Sequence, residues 1–361
     1  MQELLVTVGT DKGLFLLWSD TDRLDWRLEG PLLKGWKIHA VLLDHRSDPV
    51  LYATAGSGIY GPGIQVSRDL GKTWRELEHP PQYPEDVPHQ VNAIWCLTPG
   101  AAGEPGTLYA GVDPAGLFVS RDGGNHWEEM PGLSRHPSRE EWVGGLGGLC
   151  CHSVLVDPEN PSRLWVGISA VGVFRSEDGG RTWTIRNEGL EKVIESKSHP
   201  EIGVCVHRLL LDPKRPDRLF QQNHRGVFRS TDGGDTWSRI ENGLPHRFGF
   251  PMVLNPLDPS HLFIVPQESD EARIIPDGQL TVYRSKNAGE SWHPLRRGLP
   301  KQSFAGVLRH AMGVDGLQPC GLYFGTTGGQ LLHSRDNGDQ WRTFDYHLPR
   351  INTVTAYVVK R

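Results

Sequence analysis

The chain has 361 residues and a formal net charge of −5, and it contains 43 Gly, 27 Pro and 12 Trp. It has no block of Lys and Arg, which argues against nucleic acid as a partner, and no apolar run long enough to cross a bilayer. The first residues lack the basic and long apolar parts of a signal peptide, so we expect reduced cysteines and a cytoplasmic protein.

The chain repeats a pattern S-x-(D/N)-x-G-x-x-W, which we call the box. An altered copy comes first, in which Ser19 and Trp26 keep the outer positions while Thr21 replaces the Asp and Arg23 the Gly. Six further copies start 53, 56, 54, 55 and 49 residues apart, at residues 67–74, 120–127, 176–183, 230–237, 285–292 and 334–341. A regular period of this length indicates a repeat architecture.

Each box predicts a tight hairpin turn. The Asp or Asn side chain can accept backbone N–H bonds, and the Gly adopts a backbone conformation that other residues disfavour. The Trp is predicted to start the next strand and to pack its ring into the sheet. Binding of calcium or substrate is the alternative to this structural role, which we assign to Asp69, Asp122, Asp178, Asp232, Asn287 and Asp336.

Three apolar segments precede each box, and we name these strands A, B and C, with strand D starting at the Trp. Before the box at 176–183 they are residues 152–157, 163–167 and 172–176. Four strands in a repeat of this length are typical of a propeller blade. The sequence therefore predicts an all-β fold, a seven-bladed β-propeller of four-stranded blades, as one domain spanning residues 1–361.

The two ends of the chain predict how the propeller closes. The first repeat begins at strand B, over residues 4–8, and has no strand A. Residues 351–359 have the pattern of a strand A without a following repeat. We predict that this C-terminal segment completes the first blade and covers its sheet edge.

The boxes resemble the BNR or Asp-box repeats of sialidases, sortilin-type receptors and photosystem II stability/assembly factors. The whole chain is similar in layout to bacterial proteins known as sialidase-like or BNR-repeat glycosyl hydrolases. The resemblance implies a propeller and hydrolase-like chemistry on glycans. It does not extend to true sialidases, which have six blades and an early (F/Y)-R-I-P motif, because only the late, interrupted segment from Arg273 to Pro276 comes near that motif.

In a propeller, the D–A and B–C loops share one face, and the A–B and C–D turns with their boxes share the other. The longest loops here connect D to A or B to C, at residues 75–90, 128–150, 187–206 and 266–279. Long loops on a rigid scaffold commonly carry function, so we place the site on this face.

One repeat position near the start of strand A is polar, where a core strand would carry Val, Ile or Leu. We predict that it lines the mouth of an axial channel. The position holds His39, Asn92, His152, His207, Phe250, His310 and Asn352.

Three interpretations of this position remain open. It can form a pocket for a small molecule or glycan, or hold a transition metal, zinc or iron, on the four histidines His39, His152, His207 and His310. Four histidines from different blades resemble the iron site of carotenoid-cleaving oxygenases. Two thiols, Cys150 and Cys205, each lie two residues before such a histidine and suggest a zinc set. The third interpretation is a hydrogen-bonded ring around water.

Other side chains are predicted to reach the same face. To the pocket we assign Tyr60, His224, Arg225, Arg247 and Glu268. Further polar or aromatic groups on these loops, most of which we expect to be bystanders, are Asp11, Lys12, His89, Asp113, Glu140, Glu141, Trp142, Lys197, His199, Glu201, Asp270, Glu271 and Arg273.

The sequence thus predicts a sialidase-like propeller that binds a small molecule or glycan in a His/Asn-lined axial pocket, with hydrolase or lyase activity. If the protein is an enzyme, we expect hydrolysis of glycosidic or related bonds. One alternative is a non-enzymatic scaffold that binds a protein partner, with Tyr60 and Trp142 as exposed contacts. Another is a metal-dependent, four-histidine enzyme of the oxygenase type.

Overall fold

The computed structural model describes residues 2–360 of the chain. These residues form seven four-stranded antiparallel sheets, with strands A, B, C and D side by side in each. The prediction of an all-β, seven-bladed β-propeller of four-stranded blades is confirmed.

The strands recur in chain order, and strand D is the shortest in most blades. Strand A is β4 (Lys37–Asp44), β8 (Ala93–Pro99), β12 (Cys151–Val156), β16 (Val206–Leu211), β20 (Gly249–Leu254), β24 (Met312–Val314) and β28 (Ile351–Lys360). Strand B is β1 (Gln2–Thr10), β5 (Val50–Ser57), β9 (Leu108–Asp113), β13 (Leu164–Ile168), β17 (Leu219–Asn223), β21 (Leu262–Pro266) and β25 (Leu322–Gly325). Strand C is β2 (Gly13–Ser19), β6 (Gly61–Ser67), β10 (Gly116–Ser120), β14 (Gly172–Ser176), β18 (Gly226–Ser230), β22 (Val282–Ser285) and β26 (Leu331–Ser334). Strand D is β3 (Trp26–Leu32), β7 (Arg75–Glu76), β11 (Glu128–Glu129), β15 (Thr184–Ile185), β19 (Ser238–Arg239), β23 (His293–Leu295) and β27 (Arg342–Thr343).

Strand D differs slightly from its prediction. After each of the six intact boxes it begins one residue beyond the Trp. In two of these boxes the indole N–H donates to the Gly carbonyl of the same turn. The Trp74 Nε1 donates to the Gly71 carbonyl at 3.0 Å, and the Trp183 Nε1 donates to the Gly180 carbonyl at 3.0 Å. Helical segments in the described residues are short and lie in loops: α1 (Pro131–Ser134) and the 3-10 turns Arg139–Glu141 and Pro276–Gly278.

The C-terminal strand completes the first blade, as predicted. Strand β28 pairs antiparallel with β1, and this places Leu4 opposite Val358 and Val8 opposite Val354. The first blade is therefore built from both ends of the chain.

The boxes are held by short-range hydrogen bonds. In the box at 67–74, the Thr73 backbone N–H and hydroxyl donate to the Asp69 carboxylate at 2.9 and 2.6 Å. The Ser67 hydroxyl donates to Asp69 at 2.8 Å and accepts from the Gly71 N–H at 2.7 Å. The Thr73 hydroxyl and amide hold the pKa of Asp69 at about 2. In the other five intact boxes, the backbone N–H four residues after the Asp or Asn donates to its side chain in the same way. These acceptors are Asp122, Asp178, Asp232, Asn287 and Asp336.

The altered first box keeps its turn by other means. The carboxylate of Asp20 accepts the Arg23 N–H at 2.8 Å, and Arg23 adopts a φ of 59° at the position where the other boxes have Gly. The Arg23 Nη1 reaches the Asp315 carboxylate at 3.2 Å and donates to the Pro319 carbonyl at 2.8 Å. The first box, in which Arg replaces the Gly, is therefore joined to a distant part of the chain by the ion pair between Arg23 and Asp315.

The chain divides into two compact units. The first comprises Met1–Ile38, Gln221–Arg229 and Arg239–Arg361, and the second His39–Phe220 and Ser230–Ser238. The first has a core that includes Val6, Phe263 and Phe324, and the second a core that includes Leu117 and Phe174. The prediction of a single domain over residues 1–361 stays a prediction.

The core of the first unit contains a titratable group, His333. Its ring lies 4.4 Å from that of Phe344 and 5.5 Å from that of Trp26, and its Nδ1 finds no hydrogen-bond partner within residues 2–360. Burial, helped by the charges of Arg342 and Arg335, lowers the pKa of His333 to about 4. The imidazole is therefore neutral in the folded protein at neutral pH.

We expect His333→Phe to make the protein less sensitive to acid. The unfolded chain binds a proton at this position near pH 6.5, while the folded chain resists protonation down to about pH 4. Stability from this site is thus fully present above pH 6.5 and is lost as the pH falls through this window, by about 2 kcal/mol at pH 4.5. Urea unfolding at pH 7 and pH 4.5 measures the difference. An equal loss of stability in both proteins would contradict the prediction.

Candidate functional site

Three segments of the second unit form a pocket beside the blade of β8 to β11. They are residues 86–89, the β9–β10 turn and residues 134–149, and they enclose a cavity of about 670 Å³. Ligand pockets commonly measure about 300 to 1,000 Å³. Two of these segments are D–A loops and the third is a B–C turn, the connections predicted to share one face. The polar and aromatic lining is Asp86, His89, Asp113, Ser134, Arg135, Arg139, Glu140 and Trp142.

Trp142 anchors the longest wall of the pocket. Its side chain is only 6% exposed, and its Nε1 donates to the Ser138 hydroxyl at 2.8 Å. The ring lies 5.1 Å from that of Phe174 and 6.2 Å from that of His136. The prediction of Trp142 as an exposed contact is therefore wrong, because the loop folds back onto the blade of β12 to β15 and buries the indole.

Asp113 ends strand β9 and presents its carboxyl group to the cavity. Burial raises the pKa of Asp113 above its ordinary value of 3.8, and only the nearby backbone N–H of Leu149 acts in the opposite direction. No cation in the described part of the chain forms an ion pair with it. Desolvation without a compensating charge favours the protonated acid, a property often found at catalytic sites.

The two neighbouring glutamates of the 3-10 turn have different surroundings. Glu141 accepts hydrogen bonds from the Ser196 hydroxyl and from the backbone N–H groups of Lys197 and Ser198, and these bonds lower its pKa to about 2. It is therefore a permanently charged anchor for a second loop. Glu140 is exposed and lines the cavity. Because Glu141 is committed to the loop, Glu140 is the glutamate of this turn that can act on a ligand.

Two arginines of the pocket also differ. The Arg135 Nη2 forms an ion pair with Asp86 at 3.0 Å on the rim. Arg139 lies with its guanidinium carbon 5.0 Å from the centre of the Trp142 ring. Burial lowers the pKa of Arg139, and the neighbouring Tyr83 raises it in part. Neither arginine was singled out from the sequence, where their only signal was their position near Trp142 in a long loop.

The polar strand-A residues of the second unit lie where the repeat pattern placed them in the chain. His39, His152 and His207 fall within the first three residues of β4, β12 and β16, and Asn92 directly precedes β8. The ring of His39 lies 5.1 Å from that of Trp95. Whether these residues share an axial pocket stays a prediction.

His152 has a protein contact at each ring nitrogen. Its Nε2 lies 2.9 Å from the Val206 carbonyl and its Nδ1 3.0 Å from the Ser153 hydroxyl. To bind a metal, this imidazole would have to give up one of these bonds. The neighbouring Cys150 and Cys205 are buried free thiols. The predicted zinc or iron site at His39, His152, His207 and His310 stays a prediction.

The first unit holds the remaining strand-A residues. His310 lies two residues before β24, and its carbonyl accepts the Val354 N–H at 2.8 Å. The Asn352 Nδ2 donates to the Asp11 carboxylate at 3.0 Å and to the Ile38 carbonyl at 3.3 Å.

The predicted pocket residues on the loops lie in different surroundings. The His224 Nε2 contacts the Asp270 carboxylate at 2.7 Å, and the ring lies 5.3 Å from that of Phe248. Three others have exposed side chains, namely Arg225, Arg247 and Glu268. Tyr60 belongs to the second unit, where it is 79% exposed in the turn between β5 and β6. Their assignment to one pocket stays a prediction.

Comparisons with known proteins support the repeat and the fold. A family model described as BNR/Asp-box repeat matches residues 228–239. The xyloglucanase Xgh74A of Acetivibrio thermocellus is 24% identical over 258 residues, which are 64% of this chain and 28% of that protein. The chain thus spans about a quarter of the length of the xyloglucanases it matches.

Two solved structures are similar to this chain at low sequence identity. An ancestral GH74 enzyme has a TM-score of 0.55 at 16% identity, covering 90% of this chain and 38% of its own. YCF48 bound to D1 peptide has a TM-score of 0.53 at 15% identity, covering 85% of this chain and 83% of its own. At these identities the likeness shows the fold alone.

None of the helices in the described residues is long and apolar enough to cross a membrane. The seven blades and the six intact boxes agree with the matched family model and with the propeller structures. The chain is a seven-bladed β-propeller that carries BNR/Asp-box repeats, one of which matches the family model, and it is distantly similar to xyloglucanases.

Proposed function

We propose that the chain binds a glycan in the loop pocket around Asp113 and hydrolyses a glycosidic bond there. The observation that carries the proposal is the half-buried carboxyl group of Asp113, which has no ion-pair partner among residues 2–360 and lines a cavity of about 670 Å³. The distant similarity to xyloglucanases supports a carbohydrate ligand. We therefore expect a ligand in this pocket rather than at the histidines predicted to line the axial channel.

In this proposal Asp113 is the general acid. Its raised pKa keeps a proton available at a pH where an exposed Asp would be ionised. The proton passes to the glycosidic oxygen as the bond to the sugar carbon breaks, and Glu140 takes a proton from the attacking water. Asp86 suits the second role less well because Arg135 already pairs with it.

A pocket-filling substitution tests whether ligands bind at this place. Val87→Trp adds an indole to the cavity lining, and we expect at least a ten-fold loss of affinity for oligosaccharides that the wild type binds. Calorimetric titration with a panel of neutral xyloglucan oligosaccharides and acidic galacturonate oligosaccharides measures this.

Val143→Trp is the matched control, because Val143 is exposed and outside the cavity lining. It should bind as the wild type does. If no oligosaccharide of the panel binds, or if Val87→Trp binds as well as the wild type, the proposed function is wrong.

A protein-binding scaffold is the second candidate, and one observation favours it. Ile59 and Tyr60 are 85% and 79% exposed side by side in the β5–β6 turn. Apolar groups presented in this way are typical of contact surfaces. We also propose the cytoplasm as the compartment, which the five free cysteines support.

A further inference from the structure

Arg139 is a half-buried cation that forms no ion pair with a carboxylate among residues 2–360. Its Nε and Nη2 are buried and have no hydrogen-bond partner among residues 2–360. No carboxylate in this part of the chain pairs with it, while its neighbour Arg135 has Asp86 at 3.0 Å. A buried guanidinium with unused donors destabilises the protein unless another group supplies the missing charge.

The two unused nitrogens have a specific geometry. In a guanidinium group, Nε and Nη2 form one planar edge with two parallel N–H bonds. This edge matches the two oxygens of a carboxylate, which binds it in a bidentate manner. A single carboxylate is therefore the group that would satisfy both orphaned donors at once.

The rest of the pocket offers no internal substitute for this carboxylate. Asp86 is held on the rim by Arg135, and Glu140 is exposed to solvent. Asp113 sits in a site that disfavours its charged form. Within residues 2–360, therefore, no carboxylate supplies the complementary negative charge, and a ligand in the cavity can.

We propose that Arg139 is the subsite for the carboxylate of an acidic sugar, so that the pocket takes a uronate-containing oligosaccharide. The inference rests on the proposed glycan function and adds the class of substrate. The guanidinium carbon lies 5.0 Å from the centre of the Trp142 ring, and binding in this proposal requires the Nε–Nη2 edge to turn toward the cavity. The uronate then replaces an aromatic contact with a bidentate ion pair.

The test compares two ligands that differ only in the carboxylate. The probes are a galacturonate trisaccharide and the neutral galactose trisaccharide of the same linkage, titrated calorimetrically into the full chain. We expect the wild type to bind the acidic probe roughly 10- to 100-fold more tightly. Arg139→Met should abolish this preference and leave the affinity for the neutral probe unchanged.

Two further variants make the result specific. Arg121→Met removes an exposed arginine of the same blade that pairs with Glu128 at 2.7 Å, and it should keep the preference. Arg139→Lys keeps the charge without the planar edge, so it should retain only a small part of the preference. If thermal unfolding shows that Arg139→Met does not fold, Arg139→Lys takes its place in the comparison of the two trisaccharides.

The outcomes separate this inference from the proposed function. If the wild type binds both trisaccharides equally, the glycan pocket stands and the role of Arg139 is wrong. An undiminished preference in Arg139→Met or Arg139→Lys also overturns it. If neither trisaccharide binds and the wider oligosaccharide panel fails as well, the proposed function itself is wrong.

Discussion

Replacing Asp113 with Asn is expected to lower kcat for glycan hydrolysis by about 10²- to 10⁴-fold, the usual contribution of a general acid. Asn has nearly the same shape but cannot donate a proton to the leaving oxygen. The affinity for oligosaccharides should change little, because the substitution leaves the cavity volume and Arg139 intact. Reducing-end assays give kcat, and calorimetry with the same oligosaccharide gives the affinity.

The pH dependence follows from the direction of the Asp113 pKa shift. Burial raises this pKa above 3.8, so the wild-type rate should fall as the pH rises through the raised value. The residual rate of Asp113→Asn should lack this decline. Because a carboxyl with a raised pKa destabilises the fold once it is ionised, the variant should be at least as stable as the wild type at pH 7.

Asp48→Asn provides the matched control. Asp48 is exposed in the turn between β4 and β5, and the same change of charge there should leave kcat unaltered. A residue outside the reaction should change kcat by no more than about two-fold. If kcat of Asp113→Asn stays within this range of the wild type, Asp113 is not the general acid.

Replacing Arg23 with Met is expected to lower the free energy of unfolding by about 3 to 5 kcal/mol. The side chains of Arg23 and Asp315 are 6% and 0% exposed, and their ion pair measures 3.2 Å. Without Arg23, the Asp315 carboxylate stays buried with neutral donors, which are the Tyr323 hydroxyl at 2.9 Å and the N–H groups of Gly321 at 2.8 Å and Leu317 at 3.0 Å. An unpaired buried charge is far more costly than the loss of the attraction alone.

Urea unfolding of three variants checks the argument. Arg27→Met removes an exposed arginine of the same blade and should cost no more than about 1 kcal/mol. The double variant Arg23→Met/Asp315→Asn should regain part of the stability lost in Arg23→Met, because the remaining group is neutral. If Arg23→Met and Arg27→Met lower the free energy of unfolding by the same amount, the buried ion pair stabilises the protein no more than an exposed one.

The repeat pattern was sufficient to predict the blades. A box is held by hydrogen bonds between residues four positions apart, such as that from Thr73 to Asp69. Its turn is therefore determined by the local sequence. The closing strand was also predictable, because residues 351–359 carry the pattern of a strand A without a repeat of their own. The pairing of β28 with β1 then extends strand β1 beyond the predicted residues 4–8.

The pocket could be predicted only in part. The sequence placed Asp113, His89 and Glu140 on D–A and B–C loops, where the proposed pocket lies, but gave no reason to prefer them over other charged residues. Trp142 was expected at the surface and is buried, because the contact that buries it comes from Phe174, more than thirty residues away. Arg139 had no signal of its own, since the missing hydrogen-bond partners of its Nε and Nη2 are visible only when its neighbours are known.

The sequence by itself determined the number of blades, the position of each turn and the closure of the first blade. These features depend on side-chain periodicity and on bonds between residues a few positions apart. Tertiary structure decided which charges are paired, which are buried and which face a cavity. Pairing and desolvation depend on groups brought together from distant loops, as in the pairs Arg23–Asp315 and Arg135–Asp86, and no local pattern in the chain encodes them.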